Sequence, residues 1–275
     1  MDIITNKNYK CAYNLKDNTK ICYSKESLIN ILKNIKIIKY NENESKEMLW
    51  KKIKKYFFKK CNNNDACWLK QNEIKKIDNK TKYFTFKPEY KESWIKNKYT
   101  WLNSHDIYLL MKQFENKYSN FIFLGPVPSD CPTSISCELS NIDFNNLKKK
   151  KINNIGIIYN LDKHDQPGSH WTAVYIDINK NNINYYDSYG EVPPKSIYNF
   201  MLNTSYKLDK TNNKESFLIY NDKRHQYGNS ECGIFSIYFI LQRLTGKNMY
   251  QIFKENIKDK KMNDLRNNLF TKYIN

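Results

Sequence analysis

Four residues of this chain have the types that covalent acyl chemistry needs: Cys232 as a thiol, His170 as a base, Asp187 as an acid to orient the base, and Gln226 as an amide donor. The run His225-Gln-Tyr-Gly-Asn-Ser-Glu-Cys-Gly-Ile-Phe-Ser-Ile-Tyr-Phe239 turns from polar to apolar at Cys232-Gly233. Ile234, Phe235, Ile237, Tyr238, Ile240 and Leu241 recur at helical spacing, which predicts a buried helix starting at or near Cys232. A cysteine at a helix N-terminus feels the positive end of the macrodipole, which favours the thiolate, the form that attacks carbonyls. Gln226, six residues upstream, can return over the turn and point its amide at the same place. An amide donor beside the nucleophile's own backbone N–H builds an oxyanion hole. A lone cysteine opening a core helix is by itself only a structural thiol, so a base and an orienting acid must come from elsewhere.

The histidines are His105, His164, His170 and His225. His170 opens the β-rich run His170-Trp-Thr-Ala-Val-Tyr-Ile-Asp-Ile178; Asn179-Lys-Asn-Asn182 follows, and Ile183-Asn-Tyr-Tyr-Asp187-Ser-Tyr-Gly190 completes the pattern. Two such runs around an Asn/Lys turn predict a hairpin. Folding it back brings His170 and Asp187 to the same open end. A carboxylate there accepts from one imidazole nitrogen, fixes the tautomer and leaves the other nitrogen to take the thiol proton. Asp187-Ser-Tyr-Gly is also an ordinary strand-ending turn, and it is the combination with His170, Gln226 and Cys232 that points to catalysis.

Together, His170-Trp171, Asp187 seventeen residues later, and Gln226-x5-Cys232-Gly233 resemble the SUMO-specific protease superfamily, which includes the adenovirus maturation protease. Thr100-Trp-Leu-Asn-Ser-His-Asp-Ile107 resembles the Trp-Leu-Asn-Asp motif that opens catalytic domains of that superfamily. Phe123-Leu-Gly-Pro-Val-Pro128 and Asn160-Leu-Asp-Lys-His-Asp-Gln-Pro-Gly-Ser-His170 are similar to segments of the virion-maturation proteases of large DNA viruses, among them that of African swine fever virus. The resemblance runs from about Tyr90 to the C-terminus. It implies an α+β cysteine protease core, a central mixed sheet flanked by helices, with a small helical N-terminal arm. It implies a Cys232-His170-Asp187 triad, Gln226 in the oxyanion hole, and Trp101 and Trp171 roofing a channel that only a Gly-Gly segment threads, since a β-carbon would meet the indoles. Two core aromatics are the alternative reading of these tryptophans, and the motif favours the channel role. Ser104 stands where the motif has its acid, which in SUMO proteases faces the modifier. Asp187 departs from the Asn ascribed to the swine fever enzyme, although either side chain orients an imidazole.

The implied reaction is cleavage after Gly-Gly in viral structural polyproteins during virion maturation, in the virus factory of the host cytoplasm and in the particle. Three other readings stay open: removal of a ubiquitin-like modifier, acetyl transfer by a related bacterial branch, and a basic nucleic-acid-binding structural factor without catalysis. No cofactor and no metal are expected.

The chain has 275 residues and a formal charge of +18, with 40% hydrophobic and 15% aromatic residues, which argues for a folded protein. No apolar stretch approaches the ~20 residues that span a bilayer, so no membrane partner is expected. Residues 1–90 carry 21 Lys/Arg against 10 Asp/Glu, densest in Lys51-Lys-Ile-Lys-Lys-Tyr-Phe-Phe-Lys-Lys60. That run reads as a solvated helix face with lysines toward its C-terminal end. The other reading is a surface for DNA or an acidic partner, with salt-sensitive affinity. Seven cysteines without a Cys-x-x-Cys indicate neither a secreted disulfide framework nor a common zinc site, so the six besides Cys232 are expected as reduced structural thiols, the alternative being that some N-terminal ones pair or bind metal.

The elements that would position the four residues follow from periodicity. Residues 1–85 read as a helical, basic arm domain and 86–275 as the catalytic domain. In the arm, Ser24 caps a helix through Leu28, Ile31, Leu32 and Ile35, and Ser45 another through Leu49, Trp50, Ile53, Tyr56 and Phe57. Lys75 to Lys82 reads as a linker. In the core, Ser104 caps a helix with face Ile107, Leu110, Met111, Phe114 and Tyr118. Phe121–Leu124, Ile155–Tyr159 and Phe217–Tyr220 read as strands, Cys131–Lys151 as a loop or insertion, Pro193-Pro194 as the start of a helix through Leu202, and Met262–Tyr273 as a final helix.

Overall fold

The computed structural model describes residues 10–15, 20–74, 76–97, 99–131 and 137–272. They form two compact units, one built on Ser93–Arg266 and the other on residues up to Glu92 together with those from Asn267 onward.

In the N-terminal unit, helices α1 (Lys25–Ile35) and α2 (Lys46–Cys61) pack on each other. Ser24 and Ser45 cap them by accepting from the backbone N–H of Ser27 and Met48. Leu28, Ile31, Leu32 and Ile35 meet Leu49, Ile53 and Phe57 over Trp68, which stacks on Tyr23. Within the basic run, Lys52 pairs with Glu44 at 2.6 Å and Lys60 pairs with Glu73, while Lys51, Lys55 and Lys59 stay exposed. The expected linker is instead structured from Lys76 on, Lys75 itself lying outside the described residues. Asp78 caps helix α3 (Asn79–Phe84) by accepting from Thr81 N at 2.8 Å, and Asn34 bonds both the N–H and the C=O of Lys76 at 3.2 and 3.0 Å. The polar residues there serve caps, not chain freedom.

The cysteine expectation is also corrected. Cys11 pairs with Cys22, Cys61 with Cys67 and Cys131 with Cys137, with Cα–Cα separations of 5.1, 5.6 and 5.4 Å, and Cys232 alone is free. A disulfide requires Cα atoms within roughly 4.4–6.8 Å. For Cys61 and Cys67 that approach is made by the reversal at Asn62 (φ 48°) after α2, which spacing alone does not disclose. Titrating the denatured, unreduced protein with a thiol reagent is expected to find the one thiol of Cys232, against seven after reduction; seven before reduction would contradict the pairing.

The second unit is organised by a six-stranded mixed sheet: β1 (Phe121–Phe123), β2 (Val127–Pro128), β3 (Asn154–Asn160), β4 (Trp171–Asp177), β5 (Asn182–Tyr186) and β6 (Phe217–Tyr220). The order is β1-β3-β4-β5-β6, with β2 also on β3; β3, β4 and β5 run antiparallel, and β1, β2 and β6 join in parallel. Helices α4 (Glu92–Lys96), α5 (Ser104–Lys117), α6 (Phe144–Lys149), α7 (Lys195–Asn212), α8 (Cys232–Leu244), α9 (Met249–Lys254) and α10 (Asp259–Leu269) complete the chain.

Alternation along the strands covers both sheet faces. Ile155, Ile157, Tyr159, Val174, Ile176, Ile183 and Tyr185 pack with Ile197, Phe200, Met201 and Leu208 of α7. On the other face Tyr186 stacks on Phe239 of α8 at 4.9 Å, and a β-carbon at Gly156 would stand 3.1 Å from Ile240 and 2.9 Å from the Phe121 ring. Helix α8 is buried from Cys232 to Arg243, as an apolar surface on every side requires.

Four boundaries differ from expectation, one of them the final helix, which runs Asp259–Leu269 and not Met262–Tyr273, Tyr273 lying outside the described residues. Asn103, not Ser104, caps α5, because Asp106 at the third helical position closes a full capping box with it. Helix α7 runs past Leu202 to Asn212 and ends at left-handed Asn213. The region read as a loop after Cys131 contains a 3₁₀ turn at Glu138–Asn141 and α6, whose Asp143 cap accepts from Asn146 N.

Candidate active site

The loop before β4 delivers His170. Asn160 Oδ1 accepts from Ser169 N at 3.2 Å, Asp162 accepts from Gly168 N at 3.0 Å, and Leu161 N donates to the His170 carbonyl at 2.9 Å. Gly168 has φ of +100°, and a β-carbon there would lie 2.7 Å from the Asn160 side chain, so only glycine closes this loop.

Asp187 sits past the end of β5, its backbone gripped by Asn221. Asp187 N donates to Asn221 Oδ1 at 2.8 Å, and Asn221 Nδ2 returns to the Asp187 carbonyl at 2.6 Å. Gly190 ends the turn at φ +80° with Lys223 and Arg224 backbone atoms where its β-carbon would be, 2.8–2.9 Å away. His170 Nε2 donates to Asp187 Oδ1 at 2.8 Å, and Tyr189 N donates to the same oxygen at 2.7 Å. Asp187 is 1% exposed and His170 9%.

The hairpin and α8 therefore bring together the residues singled out from the sequence. Cys232 is the first residue of α8, 2% exposed, and lies within hydrogen-bonding reach of the His170 imidazole. Burial opposes the imidazolium, but the bonds to Asp187 and then to Cys232 outweigh it, and the His170 pKa is pushed up from 6.5 to about 9. Such an imidazole holds its proton at neutral pH. A buried thiol, an imidazole and a carboxylate in line can form and store a nucleophile for acyl transfer.

Gln226 is fully buried. Its Oε1 accepts from Ser188 Oγ at 2.6 Å and its Nε2 donates to the Gly228 carbonyl at 2.9 Å. The second N–H is only loosely directed at the Tyr189 hydroxyl, 3.4 Å away. Trp171 is buried, donates Nε1–H to the Leu102 carbonyl at 3.0 Å, and stands with Leu102 against Gly233, where a β-carbon would meet them at 3.3–3.4 Å. Trp101, the neighbour of Leu102, is 40% exposed.

Two contributors escaped the sequence reading. Tyr189 stacks on the His170 ring at 4.7 Å, carries Arg224 over its own ring at 4.9 Å, and feels both burial and Cys232 in its raised pKa. Asn221 was invisible because its partner is a backbone segment 34 residues away. Tyr189 had a signal, its place between Asp187 and Gly190. Asn221 had none. Of the other histidines, His225 is buried with Nδ1 on the Tyr186 hydroxyl, and His164 bonds Asp130; no cluster of metal-binding side chains occurs among the described residues.

A sheet flanked by helices, with a cysteine opening a buried helix beside a histidine bonded to an acid, defines the class of cysteine proteases. Residues 108–274 match the Ulp1 protease family, C-terminal catalytic domain, and the chain belongs to that family. A protein of Acanthamoeba polyphaga mimivirus that carries a thiol protease name is 32% identical over 230 residues, spanning 84% of this chain and 76% of that protein. A cysteine protease of African swine fever virus is 30% identical over 124 residues, 44% of this chain and 45% of that protein. The crystal structure of the African swine fever virus protease superposes with a TM-score of 0.67 over 98% of both chains at 20% identity, a likeness of fold. The protein is thus a cysteine protease of a type found in large DNA viruses.

Proposed function

We propose that the protein is an endopeptidase that cuts after Gly-Gly in viral structural polyproteins during virion maturation, with Cys232 as nucleophile. The observation that supports this most is the His170 imidazole, bonded to buried Asp187 by Nε2 and in reach of Cys232. At neutral pH the remaining ring nitrogen already holds the thiol proton, leaving a thiolate, and Asp187 steadies that imidazolium. The thiolate attacks the scissile carbonyl, and the oxyanion is met by the Gln226 amide and the Cys232 backbone N–H. His170 returns its proton to the leaving amine, leaving a thioester. Water, deprotonated by the same imidazole, then hydrolyses it and restores the thiol.

The Gly-Gly preference is read from access. Cys232 is almost covered, Trp171 and Leu102 stand against the adjoining Gly233, and Trp101, next to Leu102 in the chain, is exposed. Residues without a β-carbon pass where others collide. Some African swine fever virus relatives carry the name SUMO-1 cysteine protease, which keeps a folded modifier with a Gly-Gly tail as a second reading. A quenched peptide containing Gly-Gly-Ala is expected to be cut after the second glycine. Replacing either glycine by alanine should lower kcat/KM by roughly 100-fold or more, the scale of a steric misfit at the reacting carbonyl. Equal cleavage of the alanine peptides would sink the preference; cleavage only of a folded Gly-Gly-tailed protein would favour the second reading.

A further inference from the structure

The loop from Gln226 to Cys232 is held from outside by one face of α10, and we infer that Asp259 is a positioning residue for the oxyanion hole, setting Gln226 through Gly228. The inference rests on the reading of Gln226 as oxyanion donor. Asp259 Oδ2 accepts from Gly228 N at 2.8 Å and from Tyr227 N at 3.1 Å. Gly228, fixed in this way, presents its carbonyl to Gln226 Nε2 at 2.9 Å and to the Tyr189 hydroxyl at 3.2 Å. One residue therefore ties the carboxylate of α10 to the amide that meets the substrate and to the ring stacked on His170.

The rest of that face tightens the same loop. Asn263 lies four residues after Asp259, so both side chains leave α10 on one side. Asn263 Nδ2 donates to Glu231 Oε1 at 3.0 Å, and Ser230 bonds the same carboxylate through its N–H at 3.1 Å and its hydroxyl at 2.8 Å. Glu231 directly precedes Cys232. A β-carbon at Gly228 would stand 2.7 Å from Glu231 Oε2 and 3.5 Å from Asp259 Oδ2, so glycine is what lets both carboxylates close on the loop. Carboxylates on the loop that carries an oxyanion donor would oppose the developing charge if bare. Here each is occupied by N–H or O–H donors.

Without Asp259, the Tyr227 and Gly228 amides lose their acceptor, and the Gly228 carbonyl no longer dictates the plane of the Gln226 amide. Small misplacements of such donors lower rates by large factors. The thiol and imidazole, carried by α8 and the hairpin, keep their places.

The test compares two reactions of Cys232 in the full-length protein: hydrolysis of p-nitrophenyl acetate, which develops an oxyanion, and alkylation by iodoacetamide, which does not. Asp259→Ala is expected to slow ester hydrolysis about 10- to 100-fold while alkylation stays within about twofold of wild type. Asp259→Asn, whose Oδ1 still accepts from Gly228 N, should recover most of the loss. Gln226→Ala should match the Asp259→Ala pattern. Unchanged ester hydrolysis in Asp259→Ala, or a parallel fall of both reactions, overturns the inference. If Gln226→Ala itself hydrolyses the ester normally, the oxyanion reading fails and the inference with it. A defect in Gln226→Ala without one in Asp259→Ala condemns the inference alone.

Discussion

Replacing Cys232 with alanine is expected to abolish peptide cleavage, with a loss in kcat on the order of 10⁵–10⁶, the scale seen when a nucleophile that acts as a unit with its base is removed. The six other cysteines are paired, so no second thiol stands ready to substitute. The fold should tolerate the change, because the side chain is small and the helix it opens is packed through Ile234, Phe235 and the residues beyond. The same substitution carries a second readout. Cys232 is one of the two groups that raise the His170 pKa to about 9, so the imidazole in Cys232→Ala should titrate lower when followed by NMR. Retained cleavage would assign the nucleophile elsewhere; a silent activity with an unchanged His170 titration would deny the contact between the two side chains.

Asp187→Ala is expected to cost about 10³–10⁴ in kcat/KM at neutral pH, as loss of the orienting acid does in related constellations. Its effect on pH dependence has a definite sign. Burial disfavours the imidazolium, and the Asp187 bond is the largest of the effects that restore it, giving a folded pKa of about 9 against 6.5. A pKa raised on folding contributes stability that is fully present below pH 6.5 and is lost as pH rises through about 9. Wild-type kcat/KM should therefore show an alkaline limb near pH 9, where His170 loses the proton owed to the leaving amine. In Asp187→Ala that limb should move toward neutrality, and unfolding free energy should vary less between pH 6.5 and 9. Asp187→Asn, which still accepts from Nε2, should keep more of the rate while shifting the limb. An alkaline limb that stays at pH 9 in all three proteins would assign it to another group.

Much of the candidate site was legible from sequence because its signals are local. The apolar period after Cys232 demanded a buried helix, and Cys232 at the polar-to-apolar boundary had to open it. The two β-rich runs around Asn179–Asn182 demanded a hairpin, and its pairing of Ala173 with Tyr186 sets His170 and Asp187 at one end. Short-range caps at Ser24 and Ser45 were equally readable.

Other expectations failed where a local pattern was answered by a distant or neighbouring partner. The polar run after Lys75 looks like a linker until Asn34 of α1 takes the Lys76 backbone and Asp78 caps α3. Ser104 looks like a cap until Asp106 completes a better one with Asn103. The six cysteines look reduced until turns bring their Cα atoms to 5.1–5.6 Å.

Sequence alone determined which thiol, imidazole, acid and amide are candidates for the chemistry, since residue type and periodicity are properties of short segments. Tertiary structure alone decided which imidazole nitrogen meets Asp187, that Tyr189 covers His170, that Asn221 fixes the acid from 34 residues away, and that Asp259 grips the loop from 31 residues away. Those contacts satisfy buried backbone groups across the chain, and a buried N–H or carbonyl accepts whichever partner the packing delivers.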